Sequence, residues 1–574
     1  MKNSLVAQIL NELADYTEVE DDLPYRARAY RRAAQTVELL SDPIENIWNE
    51  KKLKELSGIG DNIERKIDEI LKTGRLETLE KIRRRLPVDV PSLIRVEGIG
   101  PKTVKILYKE HDVKNLEDLE VAVKVGRLRE FKGLGKSDRL LLERITSARQ
   151  SSNRILLAKA VSLSSRVGDY LKQVPHIGRF AIAGSFRRRK ETIGDFDVLI
   201  ETNEPSAAIE FFTRQDEVKQ VLAAGETKAS VKLQSNFQVD VRVVPARSWG
   251  AALLYFTGSK NHNIELRTLA IKRNLKLNEY GLFKSDDTSV AGSSEDGRYK
   301  ALVMDYIEPE MRENRGEIEA SLNHCLPKLV GLKEIKGDLQ MHTVWSDGKE
   351  TIKAMANKAI HLGYEYIAIT DHVGSLKIAN AMDEDRVKAQ RSEIEALNRN
   401  YENEGITFHV LQGAEVNIRS DGKLDMPDSV LKNLDIVLAS IHGGFGDDSE
   451  KITMRITSAM ENEFVDVIAH PTGRLLQERS GYSFDFHKVI ERSVETETLL
   501  EIDGHPNRFD LSDENAMEAL KSVEMLCLDT DSHDPSEMEY MELGVAQARR
   551  AWARKENILN TRGYEELLKY LGRN

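Results

Sequence analysis

Residues 184–200 read GSFRRRKETIGDFDVLI, and residues 237–244 read FQVDVRVV. Asp195 and Asp197 stand two apart in an apolar alternation, so on a strand both carboxylates point to one face. Asp240 lies in a second alternating segment that can pair beside the first. Three carboxylates converging on one sheet face repel each other unless cations sit between them. Oxygen-only ligands suit Mg or Mn, and a pair of such ions can clamp the attacking and leaving oxygens of a phosphoryl transfer. Upstream, Gly184 and Ser185 end the apolar run FAIAG, where backbone N–H groups can approach a phosphate, with Arg187 and Arg188 nearby to meet its charge.

Working outward toward the amino terminus, three short segments repeat: Leu56-Ser57-Gly58-Ile59-Gly60, Val96-Glu97-Gly98-Ile99-Gly100 and Phe131-Lys132-Gly133-Leu134-Gly135. Each joins two helical patterns, and their first glycines lie 35 to 40 residues apart. Paired glycines permit a tight turn, and the following helix presents free N–H groups to an anion. This is a helix–hairpin–helix reading, which grips DNA through its phosphates. Gly58, Gly60, Gly98, Gly100, Gly133 and Gly135 are therefore candidate DNA contacts.

The Gly-Ser turn, the D-x-D strand and the distal Asp resemble the palm of the nucleotidyltransferases, specifically that of the family X DNA polymerases. The likeness continues through Tyr255-Phe256-Thr257-Gly258-Ser259 to Asn263 and Arg267. It implies that Asp195, Asp197 and Asp240 are catalytic metal ligands. By the same resemblance Gly184, Ser185, Arg188, Tyr255, Phe256, Gly258 and Asn263 bind the incoming dNTP, and Arg267 contacts the template strand. Arg189, where the family often has Gly, and Lys260 add charge near the expected triphosphate path. Residues 60–82, GDNIERKIDEILKTGRLETLEKI, are similar to the family's amino-terminal lyase domain, which makes Lys66 the matching nucleophile. A nucleophilic lysine needs a depressed pKa. Glu64, Asp68 and Glu69 lie close in sequence and are expected to keep Lys66 protonated. Arg26, Tyr30 and Arg31 are expected to meet a DNA 5′-phosphate.

At 574 residues the chain exceeds one ordinary core. With 40% hydrophobic and 31% charged residues its composition is that of ordinary globular protein. No apolar run approaches the ~18 residues of a membrane span, and the start MKNSLVAQILNELADY reads as an amphipathic helix in place of a secretory signal. Cys325 and Cys527 alone imply no disulfide framework and fit a reducing cytoplasm. The net charge of −12 divides into +5 for residues 1–330 and −17 for residues 331–574. DNA contact must then rest on local patches, since the basic bias of the front is small.

From Lys336 onward short apolar strands alternate with helical patterns, the mark of a parallel β/α sheet or barrel. His342, Asp347, His372, Glu415, His442, His470, Asp531 and His533 fall at or near the carboxyl ends of these strands, which share one rim in a barrel. This mixed N/O set suits Zn, Mn or Fe. The order H, SDG, TDH, GxE, SxH, AHP, DxH resembles the PHP domain. That likeness implies a distorted seven-stranded barrel holding a cluster of two or three ions for phosphoester hydrolysis, with these eight residues as ligands. The family usually opens with H-x-H, whereas this chain has Gln340-x-His342, and a neutral amide is a weaker ligand. Asp503 ends a further strand with no assigned role.

The expected architecture is multidomain, α+β and α/β. A helical lyase-like domain with a helix–hairpin–helix spans residues 1–82, and a second helical hairpin domain spans 83–150. A nucleotidyltransferase palm covers 151–250, a nascent base-pair subdomain 251–320, a linker 321–335, and a distorted (β/α)7 PHP barrel 336–574. Taken whole, the chain resembles bacterial and archaeal family X DNA polymerases. The resemblance implies short-gap filling in DNA repair with a PHP 3′-to-5′ exonuclease, and in some members abasic-site endonuclease or 3′-phosphatase activity. Gapped or primer-template DNA and dNTP are the expected partners of a cytoplasmic monomer. Two other readings are a DNA-docking repair scaffold with a structural PHP domain, and a nucleotidyltransferase acting on a non-DNA acceptor.

Overall fold

The computed structural model describes residues 3–572 apart from 21–23, 39, 41–43, 57, 97, 129–140, 143, 146–153 and 175. They divide into two units: residues 1–153 with 376–381, and residues 154–375 with 382–574.

The first unit is helical. Ile63, Ile67 and Ile70 recur on one face of the helix Asp61–Thr73 and are buried, as are Val104 and Leu107 of the helix Pro101–His111. Both helices start from the same turn. Gly58 and Gly98 adopt φ of +80° and +86°, which favours glycine, and Gly60 and Gly100 cap the helices in extended conformation. The buried side chains from Val6 to Ile145 form one continuous core, shared by both hairpin segments. The third hairpin, with Gly133 and Gly135, lies outside the described residues.

The second unit begins with a five-stranded sheet in the order Arg179–Ile182, Asp195–Glu201, Gln238–Val244, Lys228–Leu233, Val218–Ala224. Its central pair is parallel and the others are antiparallel. Alternation decides the faces. Phe196, Val198 and Ile200, with Val239, Val241 and Val243, are buried in a core shared with the helices Leu157–Leu171 and Pro205–Thr213. Asp195, Asp197 and Asp240 are thereby turned to the opposite face. The helices Trp249–Thr257 and Lys260–Lys272 and a three-stranded antiparallel sheet follow.

Residues 337–529 supply eight parallel strands. Seven follow one path from Gly337–Asp338 to Cys527–Asp529, and His372–Val373 pairs beside His409–Asn417. The ends of that path meet where the His342 amide donates to the Ser532 carbonyl at 2.8 Å. The strands are buried on both faces, as a parallel sheet flanked by helices requires. The segment 321–335, expected as a linker, is tightly held. Val330 is buried in the barrel-side core, Leu329 packs with the preceding subdomain, and the Val330 amide donates to the Ala553 carbonyl at 2.9 Å. Among the described residues no helix is long and apolar enough to cross a membrane.

Candidate active sites

Register places the palm carboxylates. Asp197 stands directly opposite Asp240 in the parallel pair, with Asp195 two residues before it on the same face. Burial first, then the neighbouring Asp195 and Asp240, pushes the Asp197 carboxyl up to about 7. Burial and Asp240 also raise Asp195, with the Arg154 guanidinium opposing. Gln238 donates to both Asp240 oxygens at 3.0 and 3.3 Å. The donor set is all carboxylate, and its mutual repulsion is what a hard divalent cation relieves.

Gly184 opens a single helical turn, Gly184–Arg187, against this face. Its φ is +62°, and a Cβ there would lie 2.3 Å from Asp197 Oδ2. Only glycine lets the turn approach so closely. The turn is joined to the Tyr255–Ser259 segment by two arginines. Arg187 donates to Thr257 Oγ1 at 2.7 Å and to both Glu295 oxygens, at 2.8 and 2.6 Å. Arg188 donates to the Thr257 carbonyl at 2.5 Å and to Glu313 Oε1 at 3.0 Å. Arg188 is thus already ion-paired, which its sequence position does not reveal. Asn263 donates to the Tyr255 carbonyl at 2.7 Å, and Tyr255 packs edge-on against Phe256, over which lies Arg242. Arg267 is exposed on the same helix. Arg189, expected to add charge to the phosphate path, instead donates to Glu542 at 2.9 Å.

At the rim of the barrel, Glu415 is the hub. Its Oε1 lies 3.0 Å from His442 Nε2 and 2.9 Å from His470 Nε2, and its Oε2 lies 3.3 Å from His342 Nε2 and 3.6 Å from His372 Nδ1. Three overlapping sets have ligand atoms within 4.8 Å of one another: His342, Asp347, His372 and His533; His372, Glu415 and His442; and His342, Glu415 and Asp531. His470 joins the cluster through Glu415. Among the described residues the buried Nδ1 atoms of His342, His372 and His470 have no hydrogen-bond partner, and the mixed imidazole–carboxylate set fits transition-metal ligation. Burial alone would raise the carboxyls of Asp347, Glu415 and Asp531, yet the surrounding histidines hold all three well below the usual range.

Gln340, the departure from H-x-H, donates to Glu415 Oε2 at 3.2 Å and Asp531 Oδ1 at 3.5 Å, while its own Oε1 is buried without a partner among the described residues. Other residues here escape sequence reasoning. Arg508 lies 3.4 Å from Asp503 Oδ2 and 3.3 Å from Asp531 Oδ2. Asp371 is a brace, accepting from the Thr343 amide, Thr343 Oγ1, Ser346 and Gln390. Beneath the rim, burial pushes Asp338, Glu501 and Asp503 well above the carboxylate range and Asp529 up to about 6. The alternation of strands Leu499–Asp503 and Cys527–Asp529 is a legible signal for inward carboxylates, whereas Arg508 carries none.

In the first unit Lys66 lies on the helix Asp61–Thr73, 5.8 Å from the Tyr30 ring centre, and donates to Asn62 at 3.1 Å. Two of the three expected protonating acids are diverted. Glu64 pairs with Lys54, and Asp68 accepts from Lys72 and Trp48. Burial dominates and lowers the Lys66 ammonium pKa, with Glu69 opposing and Arg26 and Arg65 adding to the depression. Arg31, expected at a DNA phosphate, is paired at 2.6 Å with both Asp15 and Glu18. Among the described residues nothing within 4 Å would meet a Cβ at Gly60 or Gly100.

Comparison with known proteins agrees with these parts. The family described as Helix-hairpin-helix domain matches residues 1–76, SAM-like Helix-hairpin-helix tandem 90–145, DNA polymerase beta thumb 252–313 and PHP domain 338–505. The DNA polymerase/3'-5' exonuclease PolX of Bacillus subtilis is 36% identical over 573 residues, covering 99% of each chain. A probable phosphatase of Thermoanaerobacter is 29% identical over 236 residues, covering 39% of this chain and 89% of that protein. Identity of that extent along the whole length, on a fold with a polymerase-type palm and a PHP barrel, makes the chain a member of the family X DNA polymerases.

Proposed function

We propose that the protein is a DNA-directed DNA polymerase that fills short gaps during repair, and that its PHP barrel removes nucleotides from DNA 3′ ends in a metal-dependent 3′-to-5′ exonuclease reaction. The observation that carries this reading is the Asp197–Asp240 register against the Gly184 turn, in the same unit as the Glu415-centred rim cluster.

Asp195, Asp197 and Asp240 would hold Mg or Mn, which when bound lower the pKa of a primer 3′-hydroxyl and offset charge on the leaving phosphates. The chain's own groups then do the positioning. Backbone N–H groups of the Gly184–Ser185 turn and the Ser185 hydroxyl face the triphosphate, with Arg188 contributing its charge. Tyr255 and Phe256 wall the sugar, Gly258 allows close backbone approach, Asn263 meets the base edge, and Arg267 meets the template strand. Gly58, Gly60, Gly98 and Gly100 hold the flanking duplex through phosphates. Lys66, with its lowered pKa, serves as the amine that attacks a cleaved abasic sugar.

At the barrel rim, His342, Asp347, His372, Glu415, His442, His470, Asp531 and His533 would hold two or three Mn, Zn or Fe ions, which when bound activate water and stabilise a departing 3′-oxygen. The likeness of this barrel to a probable phosphatase favours a second activity on 3′-phosphate ends. Both cysteines are unpaired, Cys325 exposed and Cys527 buried, which suits a reducing cytoplasm, where the protein would act on DNA as a monomer.

The test is a gapped duplex incubated with and without dNTP, in Mg or Mn, following both lengthening and shortening of the primer. Asp240→Ala abolishes lengthening and spares shortening. Extension near the wild-type rate would overturn the palm assignment.

A further inference from the structure

Barrel-domain residues grip the palm at the phosphate turn. Arg550 ends the helix Met541–Arg550 and is 1% exposed. Its Nη1 donates to the backbone carbonyl of Arg188 at 2.7 Å and to Glu313 Oε1 at 3.0 Å, and its Nη2 donates to Asp513 Oδ2 at 2.6 Å. Glu313 Oε1 is the same atom that accepts from Arg188 Nε. Asp513 is itself fixed by Arg315 at 3.0 Å. The grip extends along the following residues: Arg189 donates to Glu542, Arg474 donates to Glu191 at 2.9 Å, and Phe509 and Leu543 are buried in the palm's own core.

The Arg188 guanidinium therefore has Nε on Glu313 and Nη1 on the Thr257 carbonyl, which leaves Nη2 to meet a phosphate. Its aim depends on where Glu313 is held, and its backbone on where Arg550 is held. A buried guanidinium with three acceptors is rigid, because each charge-assisted bond fixes a different direction of the planar fork. Removing it takes one of two arginine partners from each carboxylate: Asp513 keeps Arg315, and Glu313, left with Arg188, turns wholly toward it.

We propose that Arg550 is a positioning residue for polymerisation: the barrel-domain helix forms the back wall of the dNTP phosphate turn and aims Arg188 through Glu313. Nucleotide binding by the palm then depends on the PHP domain apart from the barrel's own hydrolytic site. This rests on the reading of Arg188 as a triphosphate contact.

The experiment is single-nucleotide insertion into a gapped duplex by the full chain, comparing Arg188→Gln, Arg550→Gln, the double variant and Arg550→Lys, with metal-dependent 3′ shortening as the check on the barrel. Arg550→Gln raises the KM for dNTP about tenfold with kcat within about twofold and shortening unchanged. The double variant is little worse than Arg188→Gln, because both changes act through one guanidinium. Arg550→Lys restores part of the affinity, since an ammonium cannot span three acceptors. An unchanged KM in Arg550→Gln, where Arg188→Gln raises it, overturns the proposal, as do strictly additive effects. An unchanged KM in Arg188→Gln sinks the reading beneath it. If Arg550→Gln loses shortening through misfolding, Asp513→Asn decides: it keeps the guanidinium and weakens its anchor, so a smaller rise in KM supports the proposal and none refutes it.

Discussion

Replacing Gly184 with alanine tests how closely the phosphate turn and the palm carboxylates are fitted. Gly184 has φ +62°, a conformation that costs an L-residue about 1–2 kcal/mol. The added Cβ would lie 2.3 Å from Asp197 Oδ2 and 3.3 Å from its Cγ, well inside van der Waals contact. The turn cannot simply retreat, since the Ala183 amide is bonded to the Asp197 carbonyl at 2.7 Å and the arginines after it are tied to Thr257. The carboxylate must therefore move by about 1 Å, a misplacement that costs about a hundredfold at a reacting group. Gly184→Ala is expected to lower kcat for single-nucleotide gap filling by about that factor while 3′ shortening at the barrel stays at the wild-type rate. Gly225→Ala, at the end of the strand Val218–Ala224 in the same palm sheet, is the control, because the nearest atom to its added Cβ is the Lys228 carbonyl oxygen at 3.9 Å, an ordinary contact. Gap filling by Gly184→Ala within about threefold of wild type, at equal thermal stability, would refute the argument that this approach sets the position of Asp197.

Further expectations follow from the same geometry. Joint substitution of His342 and His372 by alanine removes members of all three rim sets, so metal-dependent removal of 3′ nucleotides is lost and primer extension persists. Loss of both activities would mark the barrel as structural. Gln340→His supplies an imidazole beside His342, Glu415 and Asp531, and the metal content measured after gel filtration rises by about one ion per chain. An unchanged content would show that the amide does not limit occupancy. Lys66→Ala abolishes borohydride trapping of the protein on a cleaved abasic site. In the wild type, burial lowers the ammonium pKa, so trapping grows with pH and levels off below the ~10.4 of free lysine. Equal trapping by Lys66→Ala would remove it as the nucleophile.

Much of this protein is legible in its sequence because the signals are periodic. A strand repeats every two residues, so Asp195 and Asp197 had to share a face, and the valines around Asp240 fixed which face that would be. Parallel strands end together, so ligand-type residues near the strand ends from His342 to His533 had to meet at one rim. The spacing of paired glycines fixed the two described hairpin turns through the φ that Gly58 and Gly98 adopt. Other features depend on neighbours that no period connects. Glu64 and Asp68 lie beside Lys66 in sequence, yet the fold gives them to Lys54 and to Lys72 and Trp48. Arg31 looks free on a basic helix until Asp15 and Glu18 arrive from the preceding one. The turn at Gly184 reads as self-contained, but Arg188 takes its backbone partner from Arg550, 362 residues onward. Local pattern decides which way a side chain points, because backbone geometry repeats. Its partner, and hence its charge and freedom, is decided by packing between distant segments, and only the tertiary structure contains that.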